Sequence, residues 1–191
     1  MVPDIRKAVA SDEEKILDLM VLAFSGDPVL RWSFPDASTY LKVMPGIARF
    51  FGGRSLEHGS AYCLEGHSAV VQLLPPGVLP DFEGLFELNQ KYVPEHILPD
   101  LMAVYEAMEA FHPEVPHWHL AWSAVDPACR GRGYGTALCS FALKECQEDG
   151  LPVYLESTSA RSIPFYERLG FELLGSIQRG NSPVMYPMLK K

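Results

Sequence analysis

The stretch Val125-Asp126-Pro127-Ala128-Cys129-Arg130-Gly131-Arg132-Gly133-Tyr134-Gly135-Thr136-Ala137-Leu138 decides how this chain is read. An apolar run, His117 to Val125, precedes it as a strand candidate. A helical pattern follows from about Gly133 to Glu148, and Gly150 and Pro152 punctuate its end. Three alternating glycines between a strand and a helix let the backbone approach a ligand and aim several amide hydrogens at one point. The expected occupant is an anion, because the helix start adds unpaired N–H groups and a positive dipole end. Arg130 and Arg132 bring two cations to the same turn. A phosphate loop of the nucleotidase type needs lysine before Ser or Thr, but Thr136 follows Gly135 directly. A dinucleotide fingerprint counted from Gly131 and Gly133 needs a further glycine where Thr136 stands.

Outward from the loop, strand and helix patterns alternate. Ile5 to Ala8 is a strand candidate, and Ser11-Asp12-Glu13-Glu14 has the form of a capping box that starts a helix. Ile16, Leu19, Met20 and Ala23 give that helix one apolar stripe, which ends at Gly26-Asp27-Pro28. A second helix is expected around Tyr40 to Phe51, interrupted at Pro45 and Gly46. Ala61 to Leu64 and Ser68 to Leu74 read as a hairpin around Glu65-Gly66-His67. From Pro80 to Phe111, Pro94 and Pro99 divide the chain into two or three short helices. Val153 to Glu156 is the next strand and Ile163 to Leu169 a short helix. Phe171 to Ile177 and Pro183 to Met188 form a last pair of strands. The alternation points to an α/β layer fold.

With 191 residues and 48% apolar content, the chain suits one domain with a substantial core. Its longest apolar runs fall short of the roughly 20 residues a membrane helix needs, so no membrane association is expected. Met1-Val2-Pro3-Asp4-Ile5-Arg6 lacks a signal-peptide pattern, which makes the cytoplasm the expected location. A net charge of −8 argues against general nucleic-acid binding. Cys63, Cys129, Cys139 and Cys146 show no metal-ligand spacing, so reduced thiols and no metal are expected.

The residues resemble the GNAT superfamily, whose signature is Arg or Gln, two residues, Gly, one residue, then Gly or Ala. Arg130, Gly133 and Gly135 fill it. Tyr154-Leu155-Glu156 and, further on, Pro164-Phe165-Tyr166-Glu167-Arg168-Leu169-Gly170-Phe171 look like the family's later strand and helix. The latter run, with Ala23-Phe24-Ser25-Gly26-Asp27-Pro28, also resembles the GNAT members around puromycin N-acetyltransferase. The likeness covers most of the chain and is weakest between about Pro75 and Phe111, so no acceptor carries over from it.

The resemblance implies a single-domain GNAT (acyl-CoA N-acyltransferase) fold, a central mixed twisted sheet flanked by helices. A cofactor-binding core falls at about 117–171 and a helical substrate-side insertion at about 78–112. It implies acetyl-coenzyme A as cofactor, with the backbone from about Trp122 through Ala124 and Val125 pairing to the pantetheine arm. The amides of Arg130, Gly131, Arg132, Gly133, Tyr134, Gly135 and Thr136 would hold the pyrophosphate, and Ser159 and Phe165 would contact the cofactor. Ser159 stands where many members have asparagine.

The expected activity is acetyl transfer to a primary amine of a small molecule. Protein or peptide acetylation and a non-catalytic acyl-CoA sensor are the alternatives, and a homodimer is common among similar proteins. An alkylammonium of pKa ~10.4 must lose a proton before it can attack, and a leaving thiolate, with a thiol pKa of about 8.5, must gain one. Tyr166 is the candidate acid. Glu156 and His119 are candidates for the base, with a bound water as a third. Asp27, Arg31 and Trp32 are candidates for the acceptor wall, while His112-Pro113 and Pro116-His117 read as turns.

Overall fold

The computed structural model describes residues 3–146 and 150–191. Its strands are β1 (Ile5–Lys7), β2 (Ala61–Leu64), β3 (Ala69–Leu74), β4 (Trp118–Val125), β5 (Val153–Ser157), β6 (Glu172–Leu173) and β7 (Tyr186–Lys190). They form one mixed sheet in the order β1-β2-β3-β4-β5-β7-β6. Its helices are α1 (Glu13–Ala23), α2 (Pro28–Ser33), α3 (Ala37–Gly52), α4 (Arg54–Glu57), α5 (Phe82–Tyr92), α6 (Leu98–Glu109), α7 (Tyr134–Cys146) and α8 (Ile163–Arg168). Residues 147 and 148, expected to end α7, lie outside the described residues.

Alternation along the strands sends side chains into two cores. Cys63, Val70 and Trp122 join one cluster with α1, α3, α5 and α6. Tyr62, Leu64, Val71, Val153 and Leu155 join another with α7 and α8. The central strands β2 and β3 are buried at every position, which explains their near-continuous apolar sequence. Among the described residues, no helix is long and apolar enough to cross a membrane.

Two helix readings need correction. The start of α1 is held by Asp12, whose carboxylate accepts the Val9 amide at 2.9 Å in a 3-10 turn over Ala10–Asp12, and not by Ser11. Helix α3 is not interrupted. It runs through Pro45 because Tyr40, Val43, Met44, Ile47 and Ala48 bury one face at helical spacing. An interior proline costs about 3 kcal/mol, and burial of each large apolar side chain contributes roughly 1.5–3. Near the C-terminus, β6 keeps only two residues, and Ile177 meets Met185 through a single bridge. The partner strand β7 lies at Tyr186–Lys190, two to three residues later than expected.

All strand pairs are antiparallel except β4 with β5. That parallel pairing covers only Trp118↔Val153 and His119↔Tyr154. On its other edge β4 stays paired with β3 as far as Val125↔Ala69, but Gln72 faces Trp122 while Leu73 faces Leu120. Ala121 is therefore an extra residue in β4, a bulge that bends the strand as such insertions do. Beyond His119 the two parallel strands part.

Trp122 is fixed on the α3 side, where its Nε1 donates to the Ala48 carbonyl at 3.2 Å. A Cβ on Gly52 would overlap the indole, lying 2.9 Å from Nε1 and closer still to Cδ1. Gly52→Ala is therefore expected to destabilise the fold by about 1–3 kcal/mol through overpacking. The measurement is a lower urea midpoint at unchanged slope; an unchanged midpoint would mean that the indole has room to retreat.

Candidate active site

The glycine loop leaves β4 through a tight turn. The Asp126 carboxylate accepts the Ala128 amide at 2.8 Å and its carbonyl accepts the Cys129 amide at 2.8 Å. Gly131 and Gly133 have φ of +76° and +81°, a region that L side chains avoid. Gly135 serves another purpose, because a Cβ there would come within 3.3 Å of Val125 Cγ2 as α7 packs on the strand. The first helical bond runs from the Ala137 amide to the Gly133 carbonyl at 3.0 Å. The amides of Tyr134, Gly135 and Thr136 thus have no carbonyl of their own helix to bond, and they point out of its N-terminus. Arg130 donates to the Ala23 carbonyl at 2.9 Å, tying the loop to the end of α1, whereas Arg132 makes only a 3.4 Å contact with the Ala128 carbonyl.

From this loop a cavity of about 730 Å³ runs through the gap between β4 and β5. Ala124, Val125, Arg130 and Gly135 line its loop end, together with Ser159, Phe165 and Tyr166. Gly131, Arg132, Gly133, Tyr134 and Thr136 stand at its rim and are not part of the lining. Asp27 and Glu156 line it as well. Arg161 and Ser162, not singled out in the sequence, also border it.

The proposed acceptor wall divides. Asp27 lines the cavity, but Arg31 and Trp32 do not. Asp27 caps α2, its Oδ1 accepting the Val29 and Leu30 amides at 3.0 Å each, and this starts a helix that carries the next residues away. Arg31 lies over the Tyr40 ring at 5.1 Å and donates to the Pro35 carbonyl at 2.7 Å. Trp32 packs on the helical core. Oδ2 of Asp27 accepts the Thr158 hydroxyl in a short hydrogen bond, which joins the α1–α2 turn to the end of β5. Burial pushes the Asp27 carboxyl up, against these hydrogen bonds.

Glu156 sits on the α3–α6 side of the sheet with a side chain only 4% exposed. His119 Nε2 meets its Oε2 at 3.0 Å and His112 Nε2 meets its Oε1 at 3.1 Å. Burial alone would push this carboxyl up. The charges and hydrogen bonds of the two imidazoles outweigh it and hold the group at about 2. Burial likewise opposes protonation of His112, but the bond and charge of Glu156 prevail and its pKa is raised. The reading of His112 as turn chemistry is thus corrected: the connection after α6 folds back and delivers its ring to a buried anion. Only spatial proximity reveals this, since 44 residues separate the pair.

On the opposite face of the sheet, Tyr166 packs among Phe165, Phe171 and α7. Burial raises its phenol well above the ordinary range, so the hydroxyl keeps its proton. A third polar cluster brings Asp12, Cys63 and His67 within metal-ligand reach of one another. There Arg6 already supplies a cation, with Nη1 and Nη2 at 2.7 and 2.9 Å from the Asp12 oxygens.

Comparison with known proteins agrees with this geometry. Residues 97–171 match the model of the Acetyltransferase (GNAT) family. An uncharacterized N-acetyltransferase of Schizosaccharomyces pombe is 37% identical over 60 residues, which are 31% of this chain and 24% of that protein's length. Histone acetyltransferase HPA2 and related acetyltransferase from Corynebacterium glutamicum superposes with a TM-score of 0.71 at 24% identity, covering 100% of this chain and 96% of that one. The Drosophila melanogaster polyamine N-acetyltransferase, an enzyme that forms N-acetylagmatine, superposes at 0.62 with 20% identity over 97% and 98% of the two chains. The loop-bearing segment thus matches the GNAT acetyltransferase family model, and the architecture is shared from end to end with these acetyltransferase structures.

Proposed function

We propose that the protein transfers the acetyl group of acetyl-coenzyme A to a primary amine of a small molecule, by direct attack in a ternary complex. One observation carries this reading: a single cavity joins the amide-rich loop at Arg130 to Gly135 with a buried carboxylate–imidazole cluster on one face and a protonated phenol on the other. The residues suit the cofactor. The N-terminus of α7 offers amides to a pyrophosphate, and the β4 edge from Trp122 to Val125 offers main-chain groups to an extended arm. When bound, acetyl-coenzyme A supplies a thioester activated for attack.

The proton transfers fall to the chain's own groups. Glu156 faces the incoming amine, and at about 2 its carboxylate is too weak a base to keep a proton from an ammonium near ~10.4. It acts as the orienting anion between two imidazoles, as the carboxylate of a triad does. With His112 favoured as the cation on Oε1, His119 on Oε2 takes the amine proton, directly or through a water. His112, with a side chain 28% exposed, releases its own proton to solvent, which restores the net charge of the cluster. Tyr166 donates its hydroxyl proton to the departing sulfur.

Thiol release from acetyl-coenzyme A across amines, with a lysine peptide included, tests the activity. Binding without release for every amine would favour an acyl-CoA sensor. Tyr166→Phe is expected to lower kcat about 10²-fold while the KM for acetyl-coenzyme A stays near its parent value; full turnover across pH would remove the acid role. Glu156→Gln takes the counter-charge from both imidazoles, so their protonated forms lose stabilisation. The acidic limb of kcat/KM is then expected to move to lower pH, with kcat reduced about 10²-fold or more. An unmoved limb would separate Glu156 from the proton path.

A further inference from the structure

Resting on the transferase reading above, we infer that the acceptor is a monoamine with an apolar body, and that amines carrying a second cation are excluded. On the side of α2, α3, α5 and α6 the cavity is lined by Leu30, Ile47, Phe51, Leu85, Tyr105 and Met108, with Met185 beside them. Ile47 and Leu85 also belong to the helical core, and Met185 to the small cluster under α6.

Among the described residues, two carboxylates line the cavity, Asp27 and Glu156. Both are committed. Asp27 accepts two backbone amides on one oxygen and the Thr158 hydroxyl on the other. Each oxygen of Glu156 has its own imidazole. One amine can approach Glu156, where its proton is removed and it becomes neutral. A second ammonium or a guanidinium further along the body would remain charged and meet mainly methyl, methylene and thioether groups, beside the neutral Tyr105 hydroxyl that already accepts from Asn89 Nδ2 at 3.2 Å.

Phe24 and Phe51 offer that cation little. Phe24 and Phe51 each meet Trp122 edge-on, with centroids 4.8 and 5.5 Å away, and His119 meets Phe51 in the same manner at 5.5 Å. Ring faces that neighbours cover are not open for a cation to sit upon. A buried charge without a partner is strongly disfavoured, whereas each buried methylene favours binding. The wall therefore selects by penalising the second charge more than by recognising any one group. The likeness to a polyamine acetyltransferase lies in the fold, and the lining points to a different acceptor chemistry.

The decisive comparison uses pairs of equal length. With the full chain and saturating acetyl-coenzyme A at pH 8, thiol release is followed for hexylamine against 1,6-diaminohexane, and for 2-phenylethylamine against agmatine and spermidine. The expected result is a kcat/KM at least about 100-fold higher for hexylamine than for its diamine, with 2-phenylethylamine well above both polycations. Equal or better turnover of the diamine, agmatine or spermidine would overturn the inference and leave the acetyltransferase reading intact. Calorimetric binding of acetyl-coenzyme A with no release for any amine would instead overturn that reading, and this inference with it.

Discussion

The site depends on the early end of the parallel pairing between β4 and β5. Two residue pairs hold these strands together, and then the bulge at Ala121 turns β4 while β5 continues along β7. In a closed sheet the backbone groups on that edge of β4 would be spent on a neighbouring strand. Here they border a gap instead. Unpaired strand edges are costly to bury dry and readily accept an extended partner. The gap thus creates a slot for a linear ligand, links the two faces of the sheet, and points its long axis toward the α7 N-terminus. The antiparallel register of β3 on β4 keeps the strand in place while it bends.

The second constraint is the burial of Glu156. A carboxylate with 4% of its side chain exposed is tolerable only if it is paired and hydrogen-bonded. Its partners come from separate parts of the chain: His119 from β4 and His112 from the connection that follows α6. Tyr154 completes the surroundings, its ring 4.5 Å from that of His112, and its buried hydroxyl has no hydrogen-bond partner among the described residues. The helical segment of α5 and α6 therefore does more than wall the cavity. It ends in the group that helps to balance the site's charge. A change in that segment reaches both the cavity lining and the partners of Glu156.

The features legible in the sequence are those in which local chemistry and tertiary role agree. Gly131 and Gly133 need positive φ wherever the loop folds, and the strand, turn and helix around them follow from composition over about 20 residues. The apolar runs of β2 and β3 read correctly for the same reason. Local rules failed where distant packing outweighed them. Pro45 reads as a break, yet the buried face of α3 carries the helix through it. Ser11 has the right side chain for a cap, but Asp12 is also bonded to Arg6 and His67, and those contacts set the turn. Arg31 and Trp32 were grouped with Asp27 by proximity in sequence, although a cap necessarily begins a helix that sends its neighbours elsewhere. His112 carries no local signal at all, since its partner lies on a strand 44 residues later.

The distribution of titratable groups across the gap gives the arrangement its chemical direction. On the α3–α6 side, paired imidazoles hold a carboxyl at about 2. On the α7–α8 side, burial drives a phenol well above its ordinary value. The two groups thus stand in opposite protonation states, carboxylate and neutral phenol, across one gap. A phenol beside the carboxylate would be held protonated by its charge, as Tyr154 is pushed far up by burial and then by Glu156, whereas Tyr166 stands across the gap from it. The parted strands keep them in separate packing layers while leaving both exposed to one ligand. The same bulge that opens the slot thus also sets carboxylate and phenol on its opposite sides.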